Sequence, residues 1–370
     1  MRTVDDRTRT VDERESDLDA APSVQGQERT PPVVAAGRRP GLASTPNRDQ
    51  SNTAGSSTER ETPNQATVFA SDRSGAWQIY LSDTSLASAR VITTGGGVKS
   101  RPAISPDGAW IAYIYEATDT TGGSLRLIRR DGTAERTFQL NMEWDDPDWS
   151  PDGRTLAVSF RPHPSEEGES HRWAVATIDV NVRATHAHRK VVGGEGHNFQ
   201  PVWSPDGEEL AYVRIGDTGT AAIWVTDSNG SGDSRRVTPE GLHALQPVWS
   251  PDGTRIAFVG TRGDGPAHLH SIGTDGSGLS QVTDGDAWDG RPAWAADGLS
   301  LLFDRDVDGH RAWGCRVGAS VEGGVVNNCV PGANGPAPGQ LWSVDLSTRE
   351  ARALTSGQHN SIDPRTQRLR

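Results

Sequence analysis

Residues 246–253 read QPVWSPDG. The same string, with small changes, stands at 101–108 (RPAISPDG), 146–153 (DPDWSPDG), 200–207 (QPVWSPDG) and 291–298 (RPAWAADG). Its first prolines fall at 102, 147, 201, 247 and 292, so the spacings are 45, 54, 46 and 45. A period near 45 is that of a four-stranded propeller blade, roughly 40–45 residues. The string also has a local meaning. A short strand ends at Trp149, Trp203, Trp249 or Trp294, with Ile104 in that place once. Ser-Pro-Asp-Gly then reverses the chain: Pro presets φ, Asp suits the next position, and Gly supplies the positive φ that starts the next strand.

Outward from this turn every unit has the same order. A second strand follows at once, as in Ile111-Ala112-Tyr113, Leu210-Ala211-Tyr212 and Ile256-Ala257-Phe258. A third follows a polar turn, as in Ile223-Trp224-Val225, and a fourth ends in Thr, as in Arg236-Val237-Thr238. Four short antiparallel strands make a blade, so the expected fold is all-β, a β-propeller. A sixth unit begins part-way, with Val68-Phe69-Ala70 matching the second strand and no first strand before it. Residues 359–367, with Ile362-Asp363-Pro364, are expected to supply that strand. Six blades then close into a ring without open sheet edges.

Composition agrees. The 370 residues include 42 Gly and 23 Pro, and Trp (12) outnumbers Tyr (4) and Phe (6) together. The hydrophobic fraction of 33% is low for a globular chain and suits many tight turns rather than a helical bundle. Net charge is −12 with no basic stretch, which argues against a nucleic-acid partner. No apolar run approaches the ~20 residues that span a bilayer, and no signal peptide is visible. Residues 1–65 hold 9 Arg and 11 Asp or Glu with no aromatic residue, the composition of a disordered tail. The propeller is therefore placed at 66–370, with a Gly-, Val- and Asn-rich insertion at about 314–340 in the last blade. Its Cys315 and Cys329 are the only cysteines. They are read as a disulfide in an oxidising compartment, the alternative being two unpaired thiols in the cytosol.

The recurring P-x-W-S-P-D-G string, followed by I-A-F, I-W-V-x-D and V-T, resembles the WD-like repeats of the TolB family. That resemblance implies a TolB-like six-bladed propeller acting as a protein-binding platform in the cell envelope. The tail carries no α/β domain of the kind that precedes the TolB propeller. Related propellers also precede serine hydrolase domains, but no G-x-S-x-G nucleophile elbow occurs here.

The loops entering the first strands are expected to converge on one mouth of the channel. They carry Glu143 and Trp144, His197 and Asn198, His243, Trp288 and Asp289, and His359 and Asn360. The residues before each Pro, namely Arg101, Asp146, Gln200, Gln246, Arg291 and Asp363, are expected to ring the entrance. From these the candidate binding set is Trp144, His197, Gln200, His243, Gln246, Trp288, Arg291 and His359. The leading expectation is a monomeric, non-enzymatic platform that binds a protein or peptide at the mouth or rim, without a cofactor. The alternatives are an envelope ligand sensor and a metal-dependent enzyme, because similar oligogalacturonate lyases hold a metal with His and Gln side chains. Asp304, Asp306 and Asp308 in D-x-D-x-D-G form a candidate Ca²⁺ loop. Cys315 stands where an EF-hand needs its bidentate Glu, so the plainer reading is turn chemistry.

Overall fold

In the computed structural model the described residues are 65–370, apart from 83–85, 87, 118–122, 139–141, 163–171, 182–187, 217, 264, 307–319, 322–323, 326–338, 356–360 and 369–370. Residues 1–64 of the tail, Cys315, Cys329, Asp308 and His359 therefore lie outside them, and Gln65, the last residue assigned to the tail, instead begins a strand.

Six four-stranded antiparallel sheets follow one another along the chain. Blade four shows the pattern: His197–Trp203, Glu209–Ile215, Ala221–Asp227 and Arg235–Arg236, from channel to rim. Blades two, three, five and six start at Val98–Ile104, Met142–Trp149, His243–Trp249 and Trp288–Trp294. Blade one is assembled from both ends of the propeller. Ser361–Arg368 is its innermost strand and pairs antiparallel with Gln65–Ser71, in register Ala70↔Ile362 and Ser71↔Ser361.

The turn chemistry repeats as the sequence implies. Ser250 Oγ donates to Asp252 Oδ1 at 2.6 Å and accepts from Arg255 N at 3.0 Å. Gly253 sits at φ 72°, where a residue with Cβ is disfavoured. Ser150 and Ser204 make the same bonds to Asp152 and Asp206. The Ser hydroxyl first, then backbone N–H groups, hold all three carboxyls below their usual range.

The core is a set of layers between blades. The second-strand residues Tyr113, Tyr212, Phe258 and Phe303 are fully buried. The motif Trp residues also stitch neighbours together. Trp149, Trp249 and Trp294 donate Nε1–H to the carbonyls of Ala103, Val202 and Val248 in the preceding blade, at 3.1–3.2 Å. Each Trp thus joins apolar burial to a satisfied polar tip. All the first strands run from mouth to turn in the same sense, which brings the residues before the prolines to one level of the channel.

Candidate functional site

The residue before each Pro adopts a left-handed backbone although none is Gly. Arg101, Asp146, Gln200, Gln246 and Arg291 have φ between 47° and 56°. Proline bars the right-handed helical region to the residue before it. The first-strand ladder breaks at the same point in each blade, between Ser100 and Ala103, Asp145 and Asp148, Phe199 and Val202, Leu245 and Val248, and Gly290 and Ala293. Such a bulge re-aims a side chain. Here it turns these five into the channel, where Arg365 of blade one joins them. The side chain of Asp363 lies outside the described residues. The channel holds about 420 Å³ of open space, solvent included.

The ring residues hold one another. Gln200 Oε1 accepts from Gln246 N at 2.8 Å, and Gln246 Oε1 accepts from Arg291 N at 2.7 Å. Gln200 N donates to Ser159 Oγ at 2.9 Å, and Ser159 Oγ donates to Asp146 Oδ2 at 3.2 Å. Arg101 closes the chain, with Nη1 on Asp146 Oδ1 and Nε on Asp145 Oδ1, each at 2.5 Å. Arg291 Nη1 lies 3.8 Å from Asp304 Oδ2. Bonds of this kind from blade to blade fix the ring geometry at the position where strained backbone is concentrated.

Burial pushes the Asp145 carboxyl well above the usual range, against the pull of Arg101. Burial likewise raises Asp148 to about 6, although Arg365 and the N–H of Trp203, 2.8 Å from Asp148 Oδ2, favour its charged form. The native carboxyl of Asp148 therefore keeps its proton between about pH 4 and 6, where the unfolded chain has released it. Stability from this group is full below about pH 4 and is lost as pH rises to about 6, by at most about 3 kcal/mol. Asp148→Asn is expected to flatten that part of the pH profile and to raise Tm at pH 8. Melting curves from pH 4 to 8 check this, and an unchanged slope counts against it.

The sequence-derived residues divide into two groups. Gln200, Gln246 and Arg291 line the channel. Trp144 does not: it is 1% exposed and packs against Phe160 and His188. It stands two residues before the ring residue, and Lys99, Asn198, Ala244 and Asp289 are buried at the same place in the other blades. Strand geometry turns that position into the blade, so Trp144 contributes packing. Asn198 and Asp289 accept from Arg214 (2.9 Å) and Arg305 (2.6 and 3.0 Å) of the adjoining strand. His197, His243 and Trp288 begin their strands, three residues before the ring. Nδ1 of His197 accepts from Trp173 N and that of His243 from Ala221 N, both at 3.4 Å. Trp288 packs against the layer between blades five and six. Asp304 and Asp306 are buried in the second strand of blade six. Among the described residues no group of three or more His, Cys, Asp or Glu side chains is placed to hold a metal ion.

Sequence reading missed Asp145, Asp148, Ser159 and Arg365. The signal was the residue after the first Pro, which is Ala or Val in four blades but Asp148 in blade three and Arg365 in blade one.

Residues 124–319 match the TolB beta propeller domain family. The TolB homologue of Chlorobium chlorochromatii is 33% identical over 148 residues, covering 40% of this chain and 30% of that protein. The Tol-Pal system protein TolB of Anaeromyxobacter dehalogenans is 34% identical over 123 residues, covering 33% of this chain and 23% of that protein. This chain thus aligns to less than half of either relative. The crystal structure of TolB from Acinetobacter baumannii superposes with a TM-score of 0.60 at 17% identity, over 82% of this chain and 66% of that one. The hydrazine synthase of Kuenenia stuttgartiensis gives 0.62 at 14% identity, over 83% of this chain and 47% of that one. At such identities the shared feature is the fold.

Proposed function

Because this chain belongs to the TolB beta propeller domain family, we propose that it is a non-enzymatic platform whose channel binds an extended segment of a protein or peptide partner. The observation that carries this reading is the chemistry of the ring. Gln200 and Gln246 use Oε1 to hold the next blade, which leaves the Nε2 donors of their carboxamides for a ligand. Beside them stand the guanidinium groups of Arg101, Arg291 and Arg365. A donor-rich, pre-shaped ring suits a ligand rich in acceptors, such as peptide carbonyls and Asp or Glu side chains. The described ring residues include no imidazole, which favours this reading over the His-and-Gln metal set of a lyase.

Gln246→Glu separates structure from recognition. The carboxylate still accepts from Arg291 N, but the Nε2 donor becomes an acceptor. Affinity for the partner captured by the parent protein is expected to fall about tenfold or more, with Tm changed by less than about 3 °C. Unchanged affinity would exclude the ring as the contact surface.

A further inference from the structure

The rim carries a second repeating device. In the outermost strands, Arg90, Arg136, Arg189, Arg235 and Arg352 occupy one register position, opposite Leu81, Leu127, Thr177, Val225 and Ser343. Four of these arginines reach across to the turn of the following blade. Arg90 Nη2 donates to the Arg130 carbonyl at 2.5 Å, and Arg136 Nη1 to that of Val180 at 3.4 Å. Arg189 Nη1 donates to the Asn229 carbonyl at 2.8 Å, and Arg235 Nη1 to that of Thr274. Blade five departs from the pattern. Opposite Ser271 it carries Ser280, whose short side chain cannot cross the seam to blade six.

A cleft opens at that seam. It encloses about 300 Å³, the lower end of the range for small-molecule sites. Its floor is apolar, formed by Val282, Trp294 and Leu346. Two arginines line it. Arg255 comes from blade five, anchored through Nε to Ser271 Oγ at 2.7 Å and through Nη2 to the Gly278 carbonyl at 3.0 Å. Arg349 comes from blade six and reaches back to Ser280 Oγ at 3.1 Å, from a backbone at φ 61°. Among the described residues lining the cleft the one acid, Asp252, is already held by Ser250 Oγ, Thr254 N and Thr254 Oγ1.

We propose that the cleft between blades five and six is a ligand site, separate from the channel, for a small carboxylate with an apolar body. The apolar part covers Trp294, and the carboxylate bridges Arg255 and Arg349, where charge-assisted bonds are strong. The one blade whose outermost strand lacks the arginine is the one that borders the cleft, so no guanidinium crosses this seam from that register position.

The test is a titration with N-acetyl-phenylalanine and, separately, with its uncharged amide. The readout is the indole N–H resonance of Trp294, assigned with Trp294→Phe. The acid is expected to shift that resonance in a saturable way, and the amide to bind about tenfold or more weakly. Ser280→Arg, which installs the residue found in the other five blades, is expected to abolish the shift. Arg349→Gln, an exposed change that leaves the core intact, is expected to weaken binding about tenfold and decides the matter if Ser280→Arg does not fold. No shift with the acid, equal binding of acid and amide, or full binding by Arg349→Gln would each overturn the site. Gln246→Glu is expected to bind the acid like the parent, which keeps this result independent of the channel.

Discussion

Arg101→Ala is expected to destabilise the propeller by about 3–5 kcal/mol at pH 8, the cost of leaving buried acids without their cation. The guanidinium spans two carboxylates at 2.5 Å each, Asp145 through Nε and Asp146 through Nη1. Glu116, whose carboxyl burial also pushes upward, feels the same charge. Without Arg101 the Asp145 carboxyl rises further. A raised native pKa means that stability is retained at low pH and lost as pH rises. The deficit is therefore expected to be smaller at pH 5 than at pH 8. Denaturant unfolding of parent and variant at both pH values measures it. A deficit below about 1 kcal/mol at pH 8, or one that grows on acidification, would show that the cluster is not held in this way.

The second large effect concerns ring closure. Ile362 is fully buried in the strand that completes blade one, within the layer that includes Val68, Ile79 and Ile111. Ser361 Oγ donates to Ser71 Oγ at 3.2 Å and accepts from Arg73 Nη2 at 3.1 Å, which ties the two ends of the propeller. Ile362→Ala is expected to cost about 2–5 kcal/mol. Deleting 361–370 is expected to remove cooperative melting or to lower Tm by about 15 °C or more, because it opens the sheet and exposes both blade faces. A deletion variant that melts within a few degrees of the parent would contradict closure by this strand.

Repeats made the fold legible. Five copies of one turn string, 45–54 residues apart, specify the blade, and a sixth unit without its first strand specifies closure. The ring positions were legible for the same reason, since Gln200, Gln246 and Arg291 each stand before a repeated proline. Side-chain direction was not. By sequence Trp144 sorts with the mouth, because it lies where the chain enters a first strand, but its regular pairing with Phe160 turns its side chain into the blade. Asp148 and Ser159 become part of the site only through contacts between blades, Asp148 with Trp203 of blade four and Ser159 with Gln200 of the same blade. Those contacts join residues 55 and 41 positions apart, beyond any local pattern. The gap at Ser280 was written in the sequence, but it acquired meaning only once four of the five register-matched arginines could be seen reaching across their seams.

The most direct test of the channel as a partner site is site-specific photo-crosslinking. A photoreactive phenylalanine analogue is placed at His243, which starts the first strand of blade five three residues before the ring, and, separately, at Leu299, which is 57% exposed at the turn end of blade six. Both proteins are irradiated in native lysate, and the adducts are mapped by mass spectrometry. A channel that binds an extended segment predicts one discrete adduct at position 243, mapping to a short stretch of one protein, competed away by unlabelled parent, and absent at position 299. An adduct at position 299 with none at position 243 would contradict it.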